Sequence, residues 1–273
     1  MSAEKIHDGF KEFCQNHAKL YELIFLTDRS IEHLVDSYAP KSGSHGLHTF
    51  LQPSMPMYRG KTITIDIRHS NQQKRKQLFI ETFNRHLVHL LATAVEQLIQ
   101  FESVIKTHME KPKAGFHEVL DRYPKIIEHS YYPEVDGTGY DFIFSWYFLR
   151  FLRNKIFHNE HPFTKNVFEK EVSDKFIKFL GERRGITGMD AYNILRACRA
   201  THCKRTVIQR EDNLDFRLLN DRYNGWDGQA KDLFEMIGEI AFIWYVSICE
   251  HHNETPILPS EPKERPKKAT RRK

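Results

Sequence analysis

The 273-residue sequence predicts a mainly α protein, a helical bundle with at most a minor β element. Two long segments, residues 71–110 and 229–251, carry apolar side chains at helical spacing. A third segment, residues 140–159, is apolar around most of its circumference, as in a buried helix. Only residues 62–67 alternate apolar and polar side chains as a strand does. Three such helices can bury their apolar faces together, which indicates a bundle around one core.

The first 70 residues are predicted to form a helical and loop extension to this bundle. Residues 4–26 show largely helical spacing and predict one or two helices. Thr27-Asp28 can cap another short helix at residues 31–38. Residues 40–59 are rich in Gly, Ser, Pro and His, which predicts a loop or linker. The strand at residues 62–67 then follows, and the sequence does not identify its partner.

The bundle itself is predicted to span residues 71–255. Pro112 stops the first long helix, because proline interrupts the helical hydrogen bonds. An amphipathic helix from residue 168 is predicted to stop at Gly181, and Asp190 can cap the next helix. The last helix, residues 229–251, completes the bundle.

The net charge of +5 is concentrated at the C-terminus. Between Lys263 and Lys273 lie seven basic residues and one acidic residue, a balance of +6, which leaves residues 1–262 near −1. Residues 256–273 are basic and interrupted by prolines, which predicts a disordered tail. Such a tail can attract RNA phosphates or an acidic partner, or it can simply aid solubility.

Several protein classes find no support in the sequence. Residues 1–19 are charged throughout and do not resemble a signal peptide. The apolar run at residues 240–249 is about half of the roughly 20 residues needed to span a bilayer, so no membrane partner is expected. The four cysteines form no dense disulfide framework, which favours a reduced, cytoplasmic protein. The GxxxxGK[ST], GxGxxG and GxSxG motifs are absent, so those nucleotide-binding and hydrolase classes are not expected.

Polar residues interrupt the apolar segment 140–159 near its end. Arg153, Asn154 and His158 lie within six residues, where polar groups cost free energy unless they find partners or perform a function. Asn154 and His158 share a helix face, whereas Arg153 lies about 140° from His158 on an ideal helix. Arg153 and His158 can converge if the helix frays or bends, which Pro162 favours, or if a second subunit contributes.

The segment Arg153-Asn154-Lys155-Ile156-Phe157-His158 resembles the signature of the HEPN superfamily. That signature is an Arg followed after four to six residues by a His, with Asn, Asp or His favoured after the Arg. Two other pairs have this spacing, Arg196/His202 and Arg122/His129. Only the Arg153 pair has Asn in second place and ends an apolar helix. The resemblance covers the motif and its helix, and it implies a compact helical bundle.

The resemblance implies metal-independent cleavage of RNA by attack of the ribose 2′-hydroxyl on the adjacent phosphate. It implies His158 as the general acid or base, Arg153 as the phosphate clamp and Asn154 as the group that orients them. No metal or other cofactor is expected, because the RNA carries its own nucleophile. A composite site between two subunits implies a symmetric homodimer. A defence or toxin-like role would add a protein antitoxin or regulator as a partner.

A second basic region spans residues 183–210 and contains a single acid, Asp190. Basic side chains beside glycines suit phosphate tracking, although a solvated basic helix face would show the same composition. The candidate RNA-binding residues are Arg150, Arg196, Arg199, His202, Lys204 and Arg205.

The sequence offers little support for a metal site. Cys198, His202 and Cys203 provide soft ligands, but no second Cys/His pair stands at a zinc-finger spacing. His251-His252 near Cys249 is equally unsupported. Two functions therefore remain open: a ribonuclease, and a non-catalytic helical module for RNA binding or protein interaction. In the second, Arg153 and Asn154 would cap the helix end and His158 would bond a carbonyl.

Overall fold

The structure is a computed structural model that describes residues 4–37, 48–51, 63–66, 72–130, 140–157, 163–202, 207–210, 213–216 and 229–257. Its described residues are mainly helical, which confirms the predicted fold class. The α-helices are α1 (Glu4–Ser37), α2 (Gln72–His108), α3 (Phe116–Arg122), α4 (Lys125–His129), α5 (Asp141–Phe157), α6 (Lys165–Phe168), α7 (Asp174–Arg184), α8 (Gly188–His202) and α9 (Gln229–His251). A π-helical turn, Glu169–Ser173, joins α6 to α7. None of the described helices is both long and apolar enough to cross a membrane.

Helix α1 is continuous, so the predicted break at Thr27-Asp28 is wrong. Thr and Asp cost well under 1 kcal/mol each in a helix interior, about 0.7 at most. Packing of a long helix against its neighbours outweighs that cost, and α1 lies along both α2 and α9. A cap-forming pair therefore favours a helix start only where the preceding residue leaves the helix.

Helix α7 passes through Gly181 and ends at Arg184, so the predicted stop at Gly181 is also wrong. Gly185 takes the left-handed conformation (φ 66°) that favours glycine after a helix. Its N–H donates to the Gly181 carbonyl at 3.2 Å, and the Ile186 N–H donates to the Leu180 carbonyl at 3.1 Å. These two bonds satisfy two carbonyls in the last turns of α7.

One core joins the long helices. Its largest fully buried side chains are aromatic: Phe101, Tyr123, Phe144, Trp146, Phe148, Phe168, Phe176, Phe179, Trp244 and Tyr245. Phe10 and Phe13 bring α1 into the same core, with Phe10 stacked on Tyr245 at 4.1 Å between ring centroids. Close approach of α1 to α2 depends on Gly9, where a Cβ would lie 3.0 Å from a Val104 methyl carbon. Helix α1 is thus structurally part of the bundle, whereas the predicted division at residue 70 remains a prediction.

Five short strands form two small sheets among the described residues. Strand β1 (His48–Leu51) pairs antiparallel with β2 (Ile63–Asp66), the predicted strand. The loop predicted for residues 40–59 is therefore wrong at His48–Leu51. In the second sheet, β5 (Asn213–Phe216) lies between β3 (Phe163–Thr164) and β4 (Val207–Arg210), antiparallel to both. Strands of two to four residues are shorter than the usual 5–6, and their side-chain patterns are too brief to predict them.

Candidate functional site

The last turns of α5 place charged side chains beside the core. Phe151 and Leu152 are buried, while the neighbouring Arg153 side chain is 26% exposed. Arg150, one turn earlier, is 43% exposed and lies over the Trp146 ring, 5.7 Å from its centroid. The end of this buried helix therefore presents two guanidinium groups at the edge of the core.

Arg153 is held by a carboxylate from α2 and by its own neighbour. Its Nε donates to Glu96 Oε2 at 2.7 Å, and its Nη2 is in ion-pair contact with the same oxygen. Its Nη1 donates to Asn154 Oδ1 at 2.9 Å. A planar guanidinium bonded on two sides has one preferred orientation, so Glu96 and Asn154 fix the fork in place.

Arg150 faces a second carboxylate of α2. Glu102 is 1% exposed and lies between Lys106 Nζ at 2.5 Å and Arg150 Nη1 at 3.6 Å. Burial of a carboxylate this deep in the core is costly unless cations lie beside it. Glu96 and Glu102 follow each other along α2, whereas their partners Arg153 and Arg150 come in the reverse order along α5, so the two helices are antiparallel.

The two acids of α2 are site residues that the sequence analysis missed. Glu96 lies beside buried Val95, and Glu102 beside buried Phe101. A buried acid in an apolar stripe, such as Glu102, indicates a nearby cation, because a buried carboxylate needs one. That signal was present in the sequence, but it does not identify the cation.

His158 lies outside the described residues, as do His161 and Pro162. The convergence of Arg153 with His158 therefore stays a prediction, and so does its position relative to a twofold axis. Asn154 is the motif residue that the structure brings into contact with Arg153.

The π-helical turn contacts both α5, which carries the Arg153 motif, and the basic helix α8. Glu169 in this turn pairs with Arg199 of α8 at 2.7 Å, and Glu171 pairs with Lys155 of α5 at 3.7 Å. The Arg199 guanidinium also lies over the ring of Phe168, at 5.4 Å from the centroid. π-Helical turns occur frequently at functional sites. The arrangement brings α8 alongside the end of α5.

The other candidate RNA-binding residues differ in how far they are described. Arg196 is exposed on α8. His202 is the last residue of α8, and its side chain lies outside the described part of the structure, as do Lys204 and Arg205. Two further arginines of the basic region are engaged within the chain, because Arg183 pairs with Asp121 and Arg184 donates to the Tyr140 hydroxyl at 2.7 Å.

The cysteine-based metal candidates are described only in part. Cys198 is buried on α8, but Cys203 and the His202 side chain are not described. Among the described residues, His7, Cys249 and Glu254 place their ligand atoms within 4.8 Å of one another. This cluster shares only Cys249 with the Cys249–His251–His252 grouping, which the sequence did not support as a metal site.

Comparisons with protein families, curated proteins and solved structures gave no match. The chemistry of the site is therefore the guide to function. A guanidinium fork, an adjacent amide and a carboxylate that orients them can hold a phosphate diester near the chain that leads to His158. The same groups can also serve as anchors between two helices.

Proposed function

We propose that this chain is a metal-independent endoribonuclease of HEPN type. The observation that carries the proposal is the oriented guanidinium of Arg153, which Glu96 and Asn154 hold at the end of a buried helix five residues before His158. The Arg153 side chain as a whole is 26% exposed. An oriented guanidinium suits a phosphate clamp, because pre-organised charge needs no rearrangement during reaction.

The proposed reaction uses the RNA as its own nucleophile. The 2′-oxygen forms a bond to phosphorus while the bond from phosphorus to the 5′-oxygen breaks. One imidazole accepts the 2′-hydroxyl proton, and a second protonated imidazole donates a proton to the leaving 5′-oxygen. In a homodimer, His158 of each subunit supplies one of these roles, and Arg153 stabilises the charge on the phosphate.

Glu96 has a positioning role in this proposal. Its carboxylate fixes the plane of the Arg153 fork, but it also offsets the positive charge that attracts phosphate. The affinity for RNA at this site would therefore depend on the geometry of the fork more than on its net charge. The basic surface of α8, including exposed Arg196, would supply the long-range attraction.

The deciding experiment is digestion of end-labelled single-stranded RNA by the wild-type protein in excess chelator. We expect products with 2′,3′-cyclic phosphate and 5′-hydroxyl ends, because the attacking group is the 2′-hydroxyl. The matched substrate carries a single 2′-deoxynucleotide immediately 5′ of the mapped cleavage position, and we expect it to stay intact there. Absence of cleavage, or cleavage of the deoxy substrate at that position, would contradict the proposal.

A non-catalytic RNA-binding or protein-interaction module is the second candidate. The observation in its favour is that both Arg150 and Arg153 pair with acids of α2. Such pairs fit anchors that join α2 to α5 without any catalytic role. In this case the wild-type protein would bind uncleavable 2′-O-methyl RNA or a protein partner, and RNA would remain intact in the digestion.

RNA binding by the basic region of residues 183–210 can be tested with charge reversal. The double variant Arg196→Glu and Arg205→Glu is expected to bind 2′-O-methyl RNA more weakly, because each removed cation would otherwise neutralise a phosphate. The salt-dependence slope should decrease by about 0.7 for each phosphate that is no longer neutralised. Arg199 is left unchanged, because an acidic residue at that position would lie beside Glu169 and repel it. Fluorescence anisotropy at several salt concentrations provides the measurement.

The matched control is Lys165→Glu with Lys175→Glu, which makes the same change in net charge at exposed positions on α6 and α7. A loss confined to the Arg196/Arg205 double variant assigns the binding surface to the basic region of residues 183–210. An equal loss in both double variants would mean that only net charge matters, and it would remove this region from the proposal.

A further inference from the structure

After α9 the chain turns back and brings the Glu254 side chain close to the last turn of the helix. Asn253 has φ 56°, the left-handed conformation that ends a helix. The His252 N–H donates to the Ile248 carbonyl at 3.2 Å, and the Glu254 N–H donates to the Cys249 carbonyl at 2.8 Å. This turn places Glu254 next to the Cys249 thiol, which is only 1% exposed.

Helix α1 adds an imidazole to these two groups. His7 lies in the first turns of α1, and its Nε2 is 3.7 Å from Glu254 Oε2. The ligand atoms of His7, Cys249 and Glu254 all lie within 4.8 Å of one another. Ligands of a tetrahedral zinc ion are separated by about 3.3–3.6 Å, given bonds of about 2.0–2.3 Å. Side-chain shifts of about 1 Å would therefore bring all three groups onto one ion.

The Tyr245 hydroxyl contacts two of the three ligands and fixes their orientation. Its hydroxyl oxygen is 2.6 Å from His7 Nδ1, which leaves His7 Nε2 facing Glu254. The same hydroxyl is in hydrogen-bond contact with the Cys249 thiol, and it accepts the Ile257 N–H at 2.7 Å. Histidines that bind metals commonly use their second ring nitrogen in this way, which fixes the ring and its tautomer.

The charges of the cluster suit a divalent cation. A Cys249 thiolate and the Glu254 carboxylate would carry two negative charges beside a neutral imidazole. A dication at this position would stabilise the thiolate and the carboxylate together.

We propose that His7, Cys249 and Glu254 form a binding site for a borderline-soft divalent cation, and that Zn²⁺ is the ion it fits. The mixed nitrogen, sulfur and oxygen ligands are those of zinc rather than of magnesium or calcium. Binding would fasten the start of α1 to the end of α9. His108, which lies 3.3 Å from His252 beside this turn, is about 18 Å along α2 from Glu96, so the site is separate from the Arg153 cluster.

Cobalt(II) titration of the metal-free full-length chain tests the proposal. Cobalt reports a coordinated thiolate through a charge-transfer band, and subsequent displacement by Zn²⁺ gives the zinc affinity. We expect this band in the wild-type protein and its loss in Cys249→Ser. Cys14→Ser is the matched control. It removes a different thiol, which is partly buried, and should retain the band.

Two further variants keep the test independent of any folding defect in Cys249→Ser. His7→Gln and Glu254→Gln change side chains that are 20% and 35% exposed. Outer-shell groups alone contribute about 10–100-fold to metal affinity, so loss of either ligand should weaken cobalt binding at least about tenfold. A missing band in the wild-type protein, a band retained by folded Cys249→Ser, or unchanged affinity in both glutamine variants would overturn the proposal.

This inference goes beyond the ribonuclease proposal and can fail separately from it. Excess chelator would also empty the His7–Cys249–Glu254 site, so RNA digestion is repeated without chelator on the Cys249→Ser protein. Cleavage by that variant shows that the ribonuclease does not require the ion. Cobalt binding by a wild-type protein that leaves RNA intact shows that the metal site stands without the ribonuclease.

Discussion

A His158→Ala protein is expected to cleave RNA at least about 100-fold more slowly than the wild-type protein. The physical reason is the loss of proton transfer, because a positioned acid or base contributes about 10²–10⁴-fold to such reactions. Water replaces an imidazole poorly in this role, because the ordinary pKa of an imidazole lies near neutrality and that of water does not. Single-turnover rates with saturating RNA provide the measurement, since they isolate the chemical step from product release.

The control for this variant is His129→Ala, which removes the imidazole of another Arg/His pair with the motif spacing. His129 Nε2 lies 3.0 Å from Glu250 Oε2, where it helps connect α4 to α9. We expect its replacement to leave the cleavage rate within about twofold, because proton transfer is assigned to His158 alone. Equal rates for His158→Ala and the wild-type protein would remove the catalytic role from the motif.

Arg153 is a less direct probe than His158. Truncation of Arg153 to alanine would leave Glu96 without its guanidinium partner at a position that is 31% exposed. Loss of activity could then follow from displaced helices as well as from weaker phosphate binding. Arg153→Lys retains the charge beside Glu96 but removes the planar fork, so it is the substitution that isolates phosphate geometry.

The long helices were predictable because their apolar stripes are long. The predicted segments 71–110, 140–159 and 229–251 lie within two residues of α2, α5 and α9 at each end. Local signals were less reliable where packing competes with them. The cap signal at Thr27-Asp28 and the stop signal at Gly181 were both overridden inside helices that pack on the core.

The roles of the motif residues stay predictions, and the partner that Arg153 finds on α2 could not be predicted from the sequence. Asn154 follows Arg153 in the sequence, whereas Glu96 comes from another helix 57 positions away. Which face of α2 meets α5 depends on how the whole bundle packs, and no local pattern encodes that choice. His7 and Glu254 illustrate the same limit, because their approach depends on the turn after α9 and on the packing of α1.

The His7–Cys249–Glu254 cluster does not include the histidines that adjoin Cys249 in sequence. His251 and His252 adjoin Cys249 closely in sequence, but on a helix consecutive side chains point in different directions. The ring of His251 contacts Tyr123, and His252 contacts both Tyr123 and His108. Cys249 instead faces Tyr245, which lies one helical turn earlier on the same face.

Replacement of Trp244 by alanine is expected to lower the free energy of unfolding by about 3–5 kcal/mol. Trp244 is 2% exposed and meets Trp146 of α5 edge to face, with ring centroids 5.1 Å apart. Phe116 of α3 packs against both indoles, at 5.8 Å from Trp146 and 5.5 Å from Trp244. The substitution would open a cavity where three helices meet, and the surrounding rings cannot collapse into it without giving up their present packing.

Urea denaturation followed by circular dichroism measures this effect. The midpoint should fall while the slope stays unchanged, since the native state buries nearly the same surface. Tyr192→Ala is the aromatic control: Tyr192 is 61% exposed on α8, and its loss should change stability by no more than about 0.5 kcal/mol. A decrease below about 1 kcal/mol for Trp244→Ala would mean that the indole cluster is not closely packed. In that case α5 would lack the rigid support that holds Arg153 in position, and the proposed phosphate clamp would lose its structural basis.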